Sequence, residues 1–436
     1  MSLMLDIKFI RENAAAIKDA ATKKNLDPKV IDELLDVDAK RRELMTTSEA
    51  LRAEQKKTQD REVGAKLKEQ FKEQEEKLKP LEKQFNELMV RVPNIISPDV
   101  PVGKDESENK EVFRWIPPGG GSDKEPKKFD FTPKDHMALG KDLDILDFEK
   151  GTKVGGFRGY YVKNDGVLLV MGIMMYAVSK MVEKGFKPMI PPTLVKEFAL
   201  FGTGYFKGTE YDPEVDEIYE IATSDKEATG EKSAEKKFLV GTSEPSLLAY
   251  YSDEVLKSED LPIKNAGYSQ CYRSEIGSYG KDVKGMYRVH EFMKVEQVVL
   301  AEADIEASAK LQDEMVAISG EMHEELGLPY RRLLICTGDL GAGKYKQYDT
   351  EAWLPGMNRW AETGSASNFT DWQSRRLNVK YTDAKTGERK YVYMLNNTAL
   401  PSPRIFIAIL ENYQTADGKV MVPEVLQKYV GKKVIG

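Results

Sequence analysis

Two runs of the chain, CYRSE (Cys271 to Glu275) and YRVHEFMKVEQ (Tyr287 to Gln297), carry charged and aromatic side chains at alternate positions and are joined by a loop with three glycines. In extended strands, alternate side chains point to opposite faces. One face of the second run takes Tyr287, Val289, Met293 and Val295, with Glu291 as its polar member, and suits a core. The other takes Arg288, His290, Phe292, Lys294 and Glu296, while Arg273 and Glu275 share a side of the first run. An antiparallel pairing would gather arginines, glutamates and one aromatic ring on a single surface, able to grip an anion, an amine and a flat ring together. The same alternation also describes an amphipathic hairpin whose polar face meets water, so these residues alone leave both readings open.

The elements around this hairpin are read from periodicity and composition. A chain of 436 residues has room for two or three domains and a sizeable core. No apolar run is read as reaching the ~20 residues that span a bilayer, and the start MSLMLDIKFIRENAA lacks a signal peptide's apolar centre, so a cytoplasmic protein without a membrane partner is expected. Cys271 and Cys336 have no second cysteine or histidine at metal-ligand spacing, and the three histidines are scattered; neither zinc nor a structural disulfide is expected. The net charge of −7 argues against indiscriminate nucleic-acid binding. Residues 40–91 nonetheless hold 14 Lys/Arg against 11 Asp/Glu, which makes this segment the place for a polyanion.

Residues 4–20 read as a short helix, and Asp27-Pro28 as the start of another. Val30, Leu34, Val37, Leu44 and Leu51 follow a heptad seam interrupted by Arg41, Ser48 and Gln55. After a polar turn near Asp60 to Gly64, Leu67, Phe71, Gln74, Leu78, Leu81, Phe85, Leu88 and Val92 resume it in steps of four and three. Two such helices make an antiparallel coiled-coil hairpin about 45 Å long, at about 1.5 Å per residue. Pro80 lies off the seam, where a missing backbone donor should bend the second helix. From its own residues the hairpin is either a spacer or a binding arm.

Residues 93–128 are rich in Pro, Gly and charge and read as a linker. Beyond them, Val167 to Lys184 reads as a long helix and Gly185 to Val195 as a strand whose Pro191 and Pro192 require a sheet edge or a subunit contact. Residues 222–237 read as a mobile polar insertion, YVYMLNNTAL as a strand and PRIFIAILENYQ as a helix.

With these segments in order, the chain resembles the seryl-tRNA synthetases of class II, bacterial type, over nearly its whole length. GFKPMIPP, CYRSE with RVHEFMKVEQ, and NNTALPSPRIFIAILENYQ are similar to the three class II motifs. The resemblance implies an α+β fold: an antiparallel sheet of six or seven strands flanked by helices, behind an N-terminal coiled-coil arm, in a homodimer. The implied division is a tRNA-binding region at 1–100 with its arm at about 28–92, a linker at 101–130 and a catalytic domain at 131–436.

The resemblance also assigns the site, residue by residue. Arg273 is implied to hold the ATP α-phosphate and the serine carboxylate, and Arg404 to close over the nucleotide and reach its γ-phosphate; a planar, permanently charged fork suits both tasks. ATP would be held further by Ser274, Glu275, Arg288, Val289, Phe292, Glu362, Thr363, Gly364 and Ser365, with Glu275 on the adenine amino group and Phe292 beneath the ring. Thr242, Ser243, Glu244, Glu296, Asn396 and Thr398 would bind L-serine. Glu296 would pair with its ammonium and Thr398 with its hydroxyl. Magnesium would accompany ATP at Glu362 and Ser365, hard oxygen donors for a hard ion. Arg41, Arg42, Arg52, Lys56, Lys57 and Lys66 would contact phosphates of serine tRNA, and by the same resemblance of selenocysteine tRNA.

Two departures stand out: Ala366 occupies a position where the family often has cysteine, and NNTAL replaces a common NGSGLA. Neither removes an oxygen ligand. Two rival readings remain, a paralogue that loads a carrier protein and a non-catalytic scaffold. The basic arm speaks against the first, and the presence of Arg273, Glu296, Glu362 and Arg404 against the second.

Overall fold

The computed structural model describes residues 6–118, 125–224, 226, 229–231, 233, 235–276 and 284–436. The chain begins with two short helices, α1 (Ile7–Glu12) and α2 (Ala14–Lys23), where one helix is expected. Asn13 divides them because its φ of −122° leaves the helical region. Then come the two long helices, α3 (Lys29–Lys57) and α4 (Arg61–Val90). Asp27 opens α3 by accepting from the Lys29 amide at 2.9 Å, and Asp60 opens α4 by accepting from Glu62 and Val63. Residues 58–60 form the turn, shorter and earlier than the Asp60 to Gly64 expected.

The heptad spacing predicts the packing of these helices. Every seam position of α4 from Leu67 to Leu88 is buried or half-buried, between exposed neighbours. At the root, Val30, Ile31, Leu34, Val37, Leu88 and Val90 join Ile10 and Ile17 in a small core of their own. Pro80 sits within α4 on its exposed side.

The rest of the chain is built on one eight-stranded sheet. Its strands are β1 (Lys110–Trp115), β2 (Lys187–Met189), β3 (Ile263–Tyr272), β4 (Glu291–Ala301), β5 (Tyr330–Leu334), β6 (Lys346–Leu354), β7 (Arg359–Asn368) and β8 (Tyr393–Pro401). Their order is β1-β5-β6-β7-β8-β4-β3-β2, antiparallel throughout except for the parallel edge pair β2 and β3. The count exceeds six or seven partly because β1 lies inside the stretch read as linker. It pairs with β5 from Lys110↔Leu334 to Trp115↔Tyr330, and its sequence KEVFRW hides the strand because most of this edge faces solvent. The run 185–195 is not one strand: β2 ends at Met189 and a separate strand begins at Leu194. Pro188 sits in β2, an edge strand, where the missing donor does least harm. Part of the 222–237 insertion, and residues 277–283 with two of the three hairpin glycines, lie outside the described residues.

Period-two alternation decides which face of the sheet is core. Val295, Gln297 and Val299 of β4, with Leu395 and Asn397 of β8, turn inward. The helices beyond the arm include α5 (Asp165–Glu183), α6 (Glu197–Thr203), α7 (Glu244–Ala249), α8 (Ile305–Glu325), α9 (Trp372–Leu377), α10 (Ser402–Asn412) and α11 (Glu424–Val430), and the amides of Gln297 and Asn397 donate to Met315 O on α8. Ile405 to Leu410 of α10 are completely buried, which explains this unbroken apolar run. By length and composition α5 is capable of crossing a membrane, contrary to the expectation from sequence. Its Leu169, Ile173, Ala177 and Met181 are fully buried in the same core, so the apolar run is spent on packing.

Candidate active site

Residues of the opposite face of β4 and β8 meet across the strand pair, with Glu296 opposite Thr398. The Thr398 hydroxyl donates to Glu296 Oε2 at 3.2 Å, and Lys294 Nζ lies 2.7 Å from the same carboxylate. All three are buried. Above them, Glu244 at the start of α7 is held by three donors. Asn396 Nδ2 and Gln373 Nε2 reach Oε1 at 2.8 and 2.7 Å, and the Tyr205 hydroxyl reaches Oε2 at 3.0 Å. Burial pushes the Glu244 carboxyl above its ordinary range, against the pull of these donors. Thr242 Oγ1 is buried in the same cavity without a hydrogen-bond partner among the described residues. An unpaired buried hydroxyl beside two carboxylates suits a small polar, cationic ligand.

This cavity encloses about 770 Å³ and reaches Asp349, Glu362 and Ser365 on β6 and β7. Gln347 Nε2 donates to Asp349 Oδ1 at 2.7 Å and to Ser365 Oγ at 2.9 Å, tying the two strands' side chains together. Burial, and then the nearby charge of Glu362, raise the Asp349 carboxyl. Burial also works to raise Glu362, but Arg404 and then Arg273 outweigh it and hold that carboxyl low.

A second, narrower cavity adjoins the first. It is lined by Glu275, Arg288, Val289, Phe292, Thr363, Gly364 and Arg404, and it shares Arg273, Lys294, Glu362 and Thr398 with its neighbour. The Arg273 guanidinium lies 5.4 Å from the centre of the Phe292 ring, and its Nε donates to Gly241 O at 3.2 Å. Arg404 stacks on Tyr287 at 4.5 Å and donates to Glu362 O at 3.0 Å. Burial would lower the Arg404 pKa, but the adjacent Glu362 carboxylate raises it on balance, so the charge is secure.

The hairpin differs from its expected form. β3 ends at Tyr272 and β4 begins at Glu291, so Arg273, Glu275, Arg288 and Val289 sit on the limbs beyond the paired strands. Glu275 has φ +55°, and its carboxylate meets Arg158 at 3.2 Å and Arg288 at 3.4 Å. Arg158 itself has φ +63°. Two side-chain-bearing residues in the left-handed region, bonded to one another, mark a backbone held for a purpose other than stability.

Among the expected site residues, Ser243 and Ser274 stand apart from the cavity linings. The Ser243 hydroxyl faces Gly267 O at 3.4 Å. Sequence reading missed Lys294 as a site group, and Asp349, Gln347, Tyr205, Gln373 and Arg158 altogether. Lys294 alone left a signal, since it stands between Phe292 and Glu296 on the polar face.

On the arm, Arg52, Lys56, Lys57 and Lys66 are exposed. Arg42 is exposed but paired with the buried Asp38 at 3.0 Å. Arg41 instead lies in the seam, 4.8 Å from the centre of the Phe85 ring, and packs the hairpin rather than projecting from it.

The seryl-tRNA synthetase N-terminal domain family matches residues 4–96, and the tRNA synthetase class II core domain (G, H, P, S and T) matches residues 226–413. A serine–tRNA ligase of Treponema denticola is 39% identical over 99% of this chain and 100% of its own. The chain belongs to the seryl-tRNA synthetase family. Among solved seryl-tRNA synthetases, that of Pyrococcus horikoshii complexed with ATP is 35% identical with a TM-score of 0.88, covering 99% of both chains. The serine–tRNA ligase of Naegleria fowleri in complex with AMP is 31% identical with a TM-score of 0.85, covering 99% of this chain and 98% of its own.

Behind the site, His323 donates from Nδ1 to Ser319 O at 2.7 Å, which leaves Nε2 as an acceptor 2.9 Å from the Thr363 hydroxyl. Burial lowers its pKa to about 4. A histidine depressed in the folded state contributes stability above its unfolded pKa of about 6.5 and loses it as pH falls toward the folded value, here about 3 kcal/mol in all. Urea unfolding at pH 7.5 and 4.5 tests this: His323→Gln should lose about 2–3 kcal/mol less than the parent between the two conditions. Identical losses would show that His323 is not the acid-labile group.

Proposed function

We propose that this synthetase activates L-serine with ATP in the paired cavities and transfers it to the 3′ end of serine tRNA held by the arm; selenocysteine tRNA has the same claim by family resemblance. The observation that carries the reading is the set Arg273, Lys294, Glu362 and Thr398, which lines both cavities at once. Reacting groups of two substrates can meet only where their sites share a wall.

In this reading serine lies against Thr242, Glu244, Glu296, Asn396 and Thr398, its ammonium on the carboxylates and its hydroxyl on Thr398. Adenine lies on Phe292 beside Val289, with its amino group toward Glu275. The serine carboxylate attacks the α-phosphorus in line and pyrophosphate leaves toward Arg404. Arg273 bridges carboxylate and phosphate as negative charge gathers between them. The terminal ribose hydroxyl of the tRNA then attacks the seryl carbonyl and AMP departs. No side chain forms a covalent bond; catalysis is positioning and electrostatic stabilisation. Alanine is rejected because the buried Thr398 and its partners would lose a hydrogen bond that nothing replaces.

Glu362 and Ser365 fit magnesium, with Asp349 alongside. Two carboxylates in one cavity, with Asp349 pushed up by desolvation and then by the charge of Glu362, suit a hard divalent cation. When bound, the ion neutralises phosphate oxygens.

Residues 1–100 form the tRNA-binding part and 131–436 the catalytic part in this assignment, in a cytoplasmic homodimer. Exposed Met171 and Met175 on α5 and Ile190 beyond β2 support a subunit contact near the first motif. The test is ATP–pyrophosphate exchange across the twenty amino acids. Serine alone should support it; exchange with another amino acid, or none, would overturn the assignment.

A further inference from the structure

Helix α9 is only six residues long, yet two parts of the molecule bond to it from different sides. On one side, the Arg376 guanidinium stacks 3.5 Å from the centre of the Trp372 ring and donates to Val90 O at 3.1 Å and Phe201 O at 3.2 Å. The Trp372 indole N–H points to Val92 O at 3.4 Å. Val90 is the last residue of α4 and Val92 lies two residues beyond it, so these bonds end on the root of the arm. Residues four apart share a helix face, and Gln373 lies about 100° round from Trp372. From there its amide donates to Thr203 O at 3.0 Å and to Glu244 Oε1 at 2.7 Å. Both partners are acceptors, which fixes the orientation of the amide. The side chain is fully buried and lines neither cavity.

The arm root is bonded to the segments flanking α9 and the site as well. Lys24 Nζ donates to Ala342 O at 2.9 Å and Lys344 O at 2.7 Å, just before β6. Asn94 Nδ2 donates to Phe369 O at 2.8 Å and Thr370 Oγ1 at 3.0 Å, between β7 and α9. These bonds span more than two hundred residues of sequence and converge on the strands that carry Gln347, Asp349 and Ser365.

We propose that Gln373 is a positioning residue that holds the Glu244 carboxylate in the orientation serine recognition requires, and that α9, clamped by Trp372 and Arg376, makes the arm root part of the serine pocket's support. The proposal rests on the serine-pocket reading given above. Glu244 is buried and already inclined to take a proton; Gln373 supplies one of the two donors on Oε1 that oppose it. Without that donor the carboxylate swings or protonates, and an acceptor for the substrate is lost. In that reading ATP contacts none of these groups, so its binding should be unaffected.

The experiment is ATP–pyrophosphate exchange by the full-length chain without tRNA, with serine and ATP varied separately from pH 6 to 8. Gln373→Leu should raise KM for serine about tenfold and leave KM for ATP unchanged. The defect should deepen as pH falls, because burial favours the protonated form of Glu244 once the Gln373 donor is gone. Arg376→Met, which keeps bulk over Trp372 but releases the Val90 and Phe201 carbonyls, should raise KM for serine in the same direction. If Gln373→Leu does not fold, Tyr205→Phe removes the donor on the other oxygen and should give the same split. Serine KM within about twofold of the parent, or equal rises for serine and ATP, would overturn the proposal. Failure of the parent to use serine would instead overturn the functional reading, so the two failures are distinct.

Discussion

Arg273→Ala is expected to lower serine-dependent ATP–pyrophosphate exchange by roughly 10²–10³-fold even at saturating ATP and serine. The residue lies on the wall common to both cavities, and its charge also helps hold the Glu362 carboxyl low. Its loss would leave the approaching carboxylate and phosphate, both anionic, beside buried acidic groups without the cation that separates them. Because the missing interaction strengthens as charge develops, the defect should appear in kcat and not in KM alone. Arg273→Lys should recover part of the rate, since it restores charge but neither the planar fork nor the stacking on Phe292. Near-normal turnover by Arg273→Ala would remove this residue from the α-phosphate role.

What was legible in the sequence and what was not divides on a physical line. Periodic features were legible, because burial on one face is written at fixed intervals: the seam of α4 and the alternation of Phe292, Lys294 and Glu296 against Val295 and Gln297 follow from the residues themselves. β1 was hidden because an edge strand with a wet face has no apolar alternation to show. Gln373, Tyr205 and Asp349 were hidden for another reason. Each is a single polar residue in an ordinary local context, brought to the site by pairing across distant sequence, as in the 129 residues between Glu244 and Gln373. Ser243 and Ser274 neighbour cavity residues in sequence, yet neither lines the two cavities. The left-handed φ of Glu275 is likewise set by its partners Arg158 and Arg288 and not by its own type.

Truncating the distal arm should separate the two half-reactions. The root cannot be removed without damage, because Val30, Leu34, Val37, Leu88 and Val90 form the N-terminal core and Val90 supplies a carbonyl to Arg376. A cut that replaces residues 45–80 with a short polar turn spares these and leaves Leu44 close to Leu81, because Arg41 over Phe85 and Arg52 over Phe71 set the register of the two helices. It removes Arg52, Lys56, Lys57 and Lys66, all exposed on helices that extend away from the root. Serine-dependent exchange should stay within about twofold of the parent, since none of the deleted residues touches the cavities. Charging of serine tRNA should fall by roughly a hundredfold or more, and its dependence on salt should flatten by about 0.7–0.9 in log–log slope for each phosphate that the arm no longer neutralises. The flattening is the decisive readout, because general damage to the catalytic domain would lower charging without changing its response to salt. Equal loss of exchange and charging, or full charging with an unaltered salt slope, would show that the distal arm is not where the tRNA backbone is held.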